Sequence, residues 1–262
     1  MAKQSAITNQ REQEILREIR LAGGSCRIGF LAARLAVSDE TIRRNIKSLE
    51  ASALVKKVHG GVSLVGLVSV VEPPFQSRMD KNAEAKKQLA ARVADMIENG
   101  NSLFMDIGSS TAYVAQALQN HTDLYVVTNS IAVAHMLTAR NNNRVFLAGG
   151  ELRSHDGGAF GQDAINFIKR FNVQYAIMSV GAISAKAGFM LHDIQEADIS
   201  CEAIRRAQVS IVVADSSKFG LRAPIAMQTP EDIDILVTDA EPDAAICAML
   251  DKYEISLSVK ES

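Results

Sequence analysis

The amino-acid sequence predicts two domains of different class. A small helical head closes in a β-hairpin, and an α/β body follows with a largely parallel sheet. Three observations carry this. The first sixty residues hold three short helical patterns and then a Gly-Gly turn between β-prone runs. A Pro-Pro connector comes next. Beyond it, apolar strand-like runs alternate with amphipathic stretches of helix length.

Length and composition are consistent with that division. The 262 residues suffice for two ordinary domains, and 47% hydrophobic content supports a real core. Aromatics are only 5% and Trp is absent, so the core is built from Ala, Val, Ile and Leu. The charge is unevenly placed. Residues 1–62 carry eleven Lys and Arg against six Asp and Glu, a net of +5. Residues 63–262 carry seventeen against twenty-four, a net of −7. A basic head on an acidic body points to a polyanion meeting the head alone.

In the head, Ile15, Leu16 and Ile19 recur at helical spacing, and Gly23-Gly24 end that helix. Leu31, Ala32 and Leu35 mark a short second helix, and Val37-Ser38 a tight turn. Ser38 is placed to cap a third helix, with Asp39 and Glu40 where the helix dipole favours acids. Ile42, Ile46 and Leu49 form its inward stripe, which turns Thr41, Arg43, Arg44, Lys47 and Ser48 outward. A short helix, a tight turn and a basic, hydroxyl-bearing second helix match a recognition helix in the DNA major groove. His59-Gly60-Gly61 then reads as the turn of a hairpin carrying Lys56 and Lys57, a wing suited to the phosphate backbone. The head is therefore expected to be a winged helix-turn-helix binding double-stranded DNA through Ser38, Thr41, Arg43, Arg44, Lys47, Lys56, Lys57 and His59. Arg43-Arg44 alone would equally fit a solvated surface.

Pro73-Pro74 stiffens an extended connector. The expected boundaries are 1–63 for the head, 64–74 for the linker and 75–262 for the body. A long helical pattern runs from Phe75 to Glu98 and stops at Asn99-Gly100. The runs SLFMD, YVVT, RVFLAGG, AIMSV, SIVVAD and DILVTD read as strands, with helices between several of them and on both faces of the sheet.

Ligands of such sheets bind beyond the carboxyl ends of strands. There, Asp106 leads into Gly108-Ser109-Ser110-Thr111 at a helix start, where backbone amides and three hydroxyls suit a phosphate. The spacing is not that of a nucleotide P-loop. Thr128-Asn129, Gly149-Gly150 and Asp215 with Lys218 end other strands in similar chemistry. The same turns would also fit a capped fold without ligand.

The string VSDETIRRNIKSLEASALVKKVHGGV closely resembles the DNA-binding signature of the DeoR family of bacterial regulators. It departs at Asn45, where the family usually has Asp, which places an ion pair to a neighbouring Arg in question. FMDIGSSTAYVAQAL, VVTNSIAVAHML, FLAGGELRSHDGGAFG and VVADSSKFG resemble the family's sensor domain, so the resemblance covers nearly the whole chain. It implies a sugar-phosphate-isomerase-like fold used as a sensor. It also carries effector-linked roles onto Arg78, Lys86, Asp215 and Lys218. The run AGGELRSHDGG is similar to family members that repress glycerol 3-phosphate metabolism, which makes glycerol 3-phosphate the leading effector.

No cofactor or metal is expected. His155-Asp156 and His192-Asp193 lack a third ligand at useful spacing, and Cys26, Cys201 and Cys247 form no disulfide framework. Glu196, Asp198 and Glu202 read as the polar face of a helix, with a role for Glu196 in effector binding left open. No apolar run reaches a membrane span, so the protein is expected to be cytoplasmic. The expected function is a DNA-binding regulator, most simply a homo-oligomeric repressor released by a phosphorylated sugar or polyol. The alternative is a sugar-phosphate isomerase with an appended head, using Asp106 or Asp215 as base.

Overall fold

The computed structural model describes residues 9–22, 25–52, 54–58, 60–64, 74–227 and 230–259. The chain divides into two compact units, one of residues 1–70 with 220–223 and one of residues 71–219 with 224–262.

The head runs α1 (Gln10–Leu21), β1 (Ser25–Arg27), α2 (Ile28–Arg34), α3 (Asp39–Ala51), β2 (Val55–Val58) and β3 (Gly61–Leu64). Ile15 and Ile19 from α1, Leu31 from α2, and Ile42, Ile46 and Leu49 from α3 are fully buried in one cluster closed by Val55 and Val62. The apolar spacing thus produces the expected three-helix packing. The strand β1 was not expected. It pairs antiparallel with β3, which also pairs with β2, giving a sheet of order β1-β3-β2. Gly60 takes φ +71° in the hairpin turn. Gly61 answers a different need, because a Cβ there would lie 2.4 Å from the Cys26 carbonyl oxygen. Gly23 and Gly24, the expected stop of α1, and His59 lie outside the described residues.

The body begins with α4 (Phe75–Asp80) and α5 (Ala83–Met96). Here the single helix expected from Phe75 to Glu98 is corrected to two. Asn82 breaks it with a left-handed backbone, φ 54°, and its amide is bonded elsewhere in the fold. Next come β4 (Ser102–Met105), α6 (Ser109–Ala117), β5 (Tyr125–Thr128), α7 (Ile131–Leu137), β6 (Arg144–Leu147), α8 (Gln162–Ile168) and β7 (Val173–Ser179). The chain continues through β8 (Ala182–Ser184), β9 (Gly188–Leu191), α9 (Ile194–Arg205), β10 (Ala207–Val213), β11 (Ile225–Ala226), β12 (Ile235–Val237), α10 (Ala244–Lys252) and β13 (Ser256–Ser258).

The large sheet has seven strands in the order β13-β12-β10-β7-β4-β5-β6, and every pairing is parallel. Alternate residues serve opposite faces, as a period of two requires. Leu103, Met105, Ile177 and Val213 pack with Leu89, Val114 and Val133 of α5, α6 and α7. Phe104, Ala176, Met178 and Val212 pack with Ile168, Ile199 and Leu250 of α8, α9 and α10. Helices therefore cover both faces, the arrangement that strands reading as unbroken apolar runs demand. The small antiparallel sheet β11-β9-β8 was not expected. Strand order reverses at β4. The chain proceeds outward through β5 and β6, then returns to lay β7 on the other side of β4. That reversal opens a crevice at the carboxyl ends of β4 and β7.

Candidate functional site

Two sites emerge, one in each unit. In the head, Ser38 caps α3, its hydroxyl accepting from the Thr41 amide at 3.2 Å. The Ser38 and Thr41 hydroxyls also bond each other at 2.9 Å. Thr41, Arg43, Arg44, Lys47 and Ser48 are all exposed, opposite the buried Ile42, Ile46 and Leu49. Asn45 donates its amide to the Thr41 carbonyl at 2.9 Å, a bond that an Asp carboxylate, being an acceptor only, cannot make. On the wing, Lys56 and Lys57 are exposed. Glu50 of α3 ties down β2. It accepts from the Lys57 backbone at 3.1 Å and pairs with the Lys57 ammonium at 3.2 Å, and these bonds hold its carboxyl below the usual range. Lys57 is thus partly engaged within the head, whereas Arg43, Arg44 and Lys47 are exposed on α3.

In the body, a small polar cleft lies at the strand-order reversal, lined by Arg78, Ile107, Ser109, Ser110, Ser179, Val180, Gly181, Leu191, Glu196 and Lys218. Of the residues singled out in the sequence, Arg78, Ser109, Ser110 and Lys218 meet there. Gly108 precedes α6 because only a residue without Cβ fits: an added Cβ would stand 2.0 Å from Ser179 Oγ. Two hydroxyls from the start of α6 and the cations Arg78 and Lys218 thus line one cleft, a set of groups whose chemistry suits an anion.

The other expected effector residues do not line this cleft and are engaged within the fold. Asp106 accepts from the Ser179 amide at 2.9 Å and the Ser179 hydroxyl at 3.3 Å, stapling β4 to β7. Thr111 is fully buried and donates its hydroxyl to the carbonyls of Asp106 and Gly108, at 3.1 and 3.0 Å. Thr128 donates to the Met105 carbonyl at 2.7 Å, and Asn129 to the Ala159 carbonyl at 3.2 Å. Asp215 caps the turn Ser216–Lys218 and accepts from Asn82 Nδ2 at 2.8 Å. Lys86 is 4% exposed and donates to the carbonyls of Arg78 and Lys81 at the α4–α5 break. Burial pushes its ammonium down to about 8, against the pull of Asp215. Gly149 and Gly150 follow the edge strand β6 and do not line the cleft.

Sequence reasoning missed Ser179, Val180 and Gly181 at the end of β7; it read Glu196 as part of a polar helix face and left an effector role open. Glu196 lines the cleft from the first turn of α9. It is paired with the Arg153 guanidinium, which also binds Asp156 (Nε to Oδ2, 2.9 Å) and Asp193 (3.3 Å) and stacks 3.9 Å from the Phe160 ring centroid. Burial opposes this charge, but the bonds to Asp156 and Glu196 win and carry the Arg153 pKa upward. The two His-Asp pairs thus resolve as structure, Asp156 in the Arg153 pair and Asp193 as the cap of α9. Among the described residues, no group of three His, Cys, Asp or Glu could hold a metal ion, and no helix is long and apolar enough to cross a membrane.

Sequence comparison supplies the family. The profile described as the DeoR-like helix-turn-helix domain matches residues 11–66, and that described as the DeoR C terminal sensor domain matches residues 81–240. The chain belongs to the DeoR family. A DeoR-family relative, the glycerol-3-phosphate regulon repressor of Escherichia coli K12, is 35% identical over 87% of this chain and 90% of its own. The HTH-type transcriptional repressor CsqR of the same organism is 36% identical over 89% of each chain. Among solved structures, the sorbitol operon regulator SorC of Klebsiella pneumoniae aligns with a TM-score of 0.44 and 11% identity, over 92% of this chain and 99% of that one. As a DeoR-family protein this chain is a DNA-binding transcriptional regulator with a small-molecule sensor domain, and not an isomerase with an appended head.

Proposed function

We propose that this DeoR-family regulator represses transcription until a small phosphorylated sugar or polyol binds its body, glycerol 3-phosphate being the leading candidate. The observation that carries this reading is the cleft lined by Arg78, Ser109, Ser110 and Lys218, with both hydroxyls at the start of α6. Two cations and two hydroxyls in one cleft suit a phosphate dianion better than a neutral sugar. The names of the glycerol-3-phosphate regulon repressors among the relatives favour that polyol.

In this reading Arg78, Ser109, Ser110 and Lys218 touch the effector. Lys86, Asp106, Gly108, Thr111, Thr128, Asn129 and Asp215 hold the turns in place. Ser38, Thr41, Arg43, Arg44, Lys47, Lys56, Lys57 and His59 face DNA. The working bounds are 1–63 for the head, 64–74 for the linker and 75–262 for the sensor. A dimer or tetramer in the cytoplasm would bring paired heads to paired half-sites, supplying specificity that one short helix lacks. Effector weakens DNA binding only if it prefers the arrangement that does not bind.

A thermal-shift screen of the full chain against phosphorylated C3 to C6 metabolites tests the sensor. A true effector raises the melting temperature with concentration. Lys218→Ala should lose that shift and retain DNA binding. An unchanged response in that variant would move the site elsewhere.

A further inference from the structure

Coupling a sensor to a DNA-binding head needs an element that both touches the effector cleft and joins the chain's path to the head. Among the described residues, α4 meets both needs. It is the first element after the Pro73-Pro74 connector, and its Arg78 lines the cleft. We infer that α4 carries effector binding toward the head, and that Tyr113 is the positioning residue that ties α4 to α6, the helix whose start lines the cleft. The inference rests on the effector reading above and deepens it by naming the route of regulation.

Directional bonds secure α4, because none of its six residues is buried. A helix this short cannot pair most of its own carbonyls. Side chains of the two following helices take up those at its C-terminal end. Tyr113 of α6 donates its hydroxyl to the Met79 carbonyl at 3.1 Å. Lys86 of α5 donates to the Arg78 carbonyl and, at 2.9 Å, to the Lys81 carbonyl. Of these two anchors, Tyr113 belongs to the helix that supplies Ser109 and Ser110 to the cleft. It stands three and four residues beyond them, on the same helical face. Its ring packs against the core that α5, α6 and α7 share, so the hydroxyl is held in place from below. A ligand that engages Ser109, Ser110 and Arg78 together therefore acts on two helices joined by this hydroxyl. One neutral hydrogen bond changes an equilibrium by about two- to tenfold, a measurable share of ordinary allosteric coupling.

Tyr113→Phe removes the hydroxyl and keeps the ring. The experiment compares it with wild type as full chains. Fluorescence anisotropy on DNA from the protein's own promoter, with and without glycerol 3-phosphate, gives the coupling ratio. Thermal shift of the DNA-free chains with glycerol 3-phosphate and with inorganic phosphate gives effector affinity. The variant should keep its affinity for DNA alone and for glycerol 3-phosphate alone within about threefold, while its coupling ratio falls about fivefold. Hydrogen exchange supplies a second readout. Glycerol 3-phosphate should change the exchange of amides 78–81 in wild type, and that change should be lost in Tyr113→Phe. A coupling ratio unmoved in the variant, or no effector-induced change at 78–81 in wild type, overturns the inference and leaves the effector cleft standing. A coupling ratio that falls only in step with effector affinity also overturns it, because Tyr113 would then merely support the cleft. No thermal shift of wild type with either ligand overturns the effector reading itself, and this inference with it.

Discussion

Asn82 Nδ2 donates to Asp215 Oδ1 at 2.8 Å, joining two residues 133 positions apart in sequence. The bond seats the α4–α5 break against the turn after β10, with a second donation to Ser217 Oγ at 3.0 Å. Arg78 and Lys218, two of the cleft's cations, sit on the two segments it joins. Asn82→Ala loses these bonds and puts Ala in the left-handed region, at a combined cost of about 2–3 kcal/mol. Asn82→Gly keeps the turn and loses only the bonds, about 1 kcal/mol. Urea denaturation followed by circular dichroism should rank the stabilities as wild type, Gly, Ala. An Ala variant as stable as wild type would show that the break is held by other means.

Lys86 makes a pH prediction. Its folded pKa of about 8 lies below the ordinary 10.5, so between those values the unfolded chain binds more protons than the folded one. Stability from this group is therefore lowest below pH 8 and rises toward pH 10.5. Lys86→Met removes the titration. The stability of wild type relative to Lys86→Met should be flat below pH 8 and climb above it, as read from urea midpoints at fixed ionic strength. A difference that stays level to pH 10.5 contradicts the burial of a charged Lys86.

Local chemistry was readable in the sequence, and tertiary chemistry was not. The Ser38 cap and the stripe of Ile42, Ile46 and Leu49 depend on neighbours within one or two turns, and the structure has them as expected. Strand β1 has three residues and no periodicity of its own. It exists because β3 offers it an edge. The break at Asn82 interrupts a pattern that stays helical, and its cause lies at Asp215. The cleft shows the same division. Ser109 and Ser110 face it while Thr111, one residue on, turns its hydroxyl to backbone carbonyls. Residue type alone does not distinguish those roles. Gly149-Gly150 resembled the other strand ends, but strand order, which sequence does not carry, places β6 at the sheet's edge.

Gly61→Ala tests how β1 is held. The added methyl would meet the Cys26 carbonyl oxygen at 2.4 Å, against backbone that cannot swing aside. A loss of about 1–3 kcal/mol is expected for such overpacking. Hydrogen exchange should show lost protection of the β1–β3 amides while the sensor's strands are unaffected. Full protection in the variant would mean the hairpin relaxes freely.

Arg43, Arg44 and Lys47 should differ from Lys57 in their effect on DNA affinity. Alanine at one of the first three should either cost about 1–3 kcal/mol with relaxed specificity, if it reads a base, or reduce the salt slope by about one, if it meets a phosphate. Lys57→Ala should cost less, because its ammonium is shared with Glu50. Competition binding across salt concentrations distinguishes these outcomes, and equal losses at all four positions would remove the special standing of α3.

The central claim is that one chain couples a phosphate-lined cleft to DNA release. Fluorescence anisotropy of the full chain on DNA from its own promoter, at fixed salt with and without glycerol 3-phosphate, measures that coupling directly. The account predicts tight binding without effector and a loss of about 5–150-fold at saturating effector, the usual span of allosteric coupling, abolished in Lys218→Ala. Unchanged affinity at effector concentrations that raise the melting temperature would contradict it.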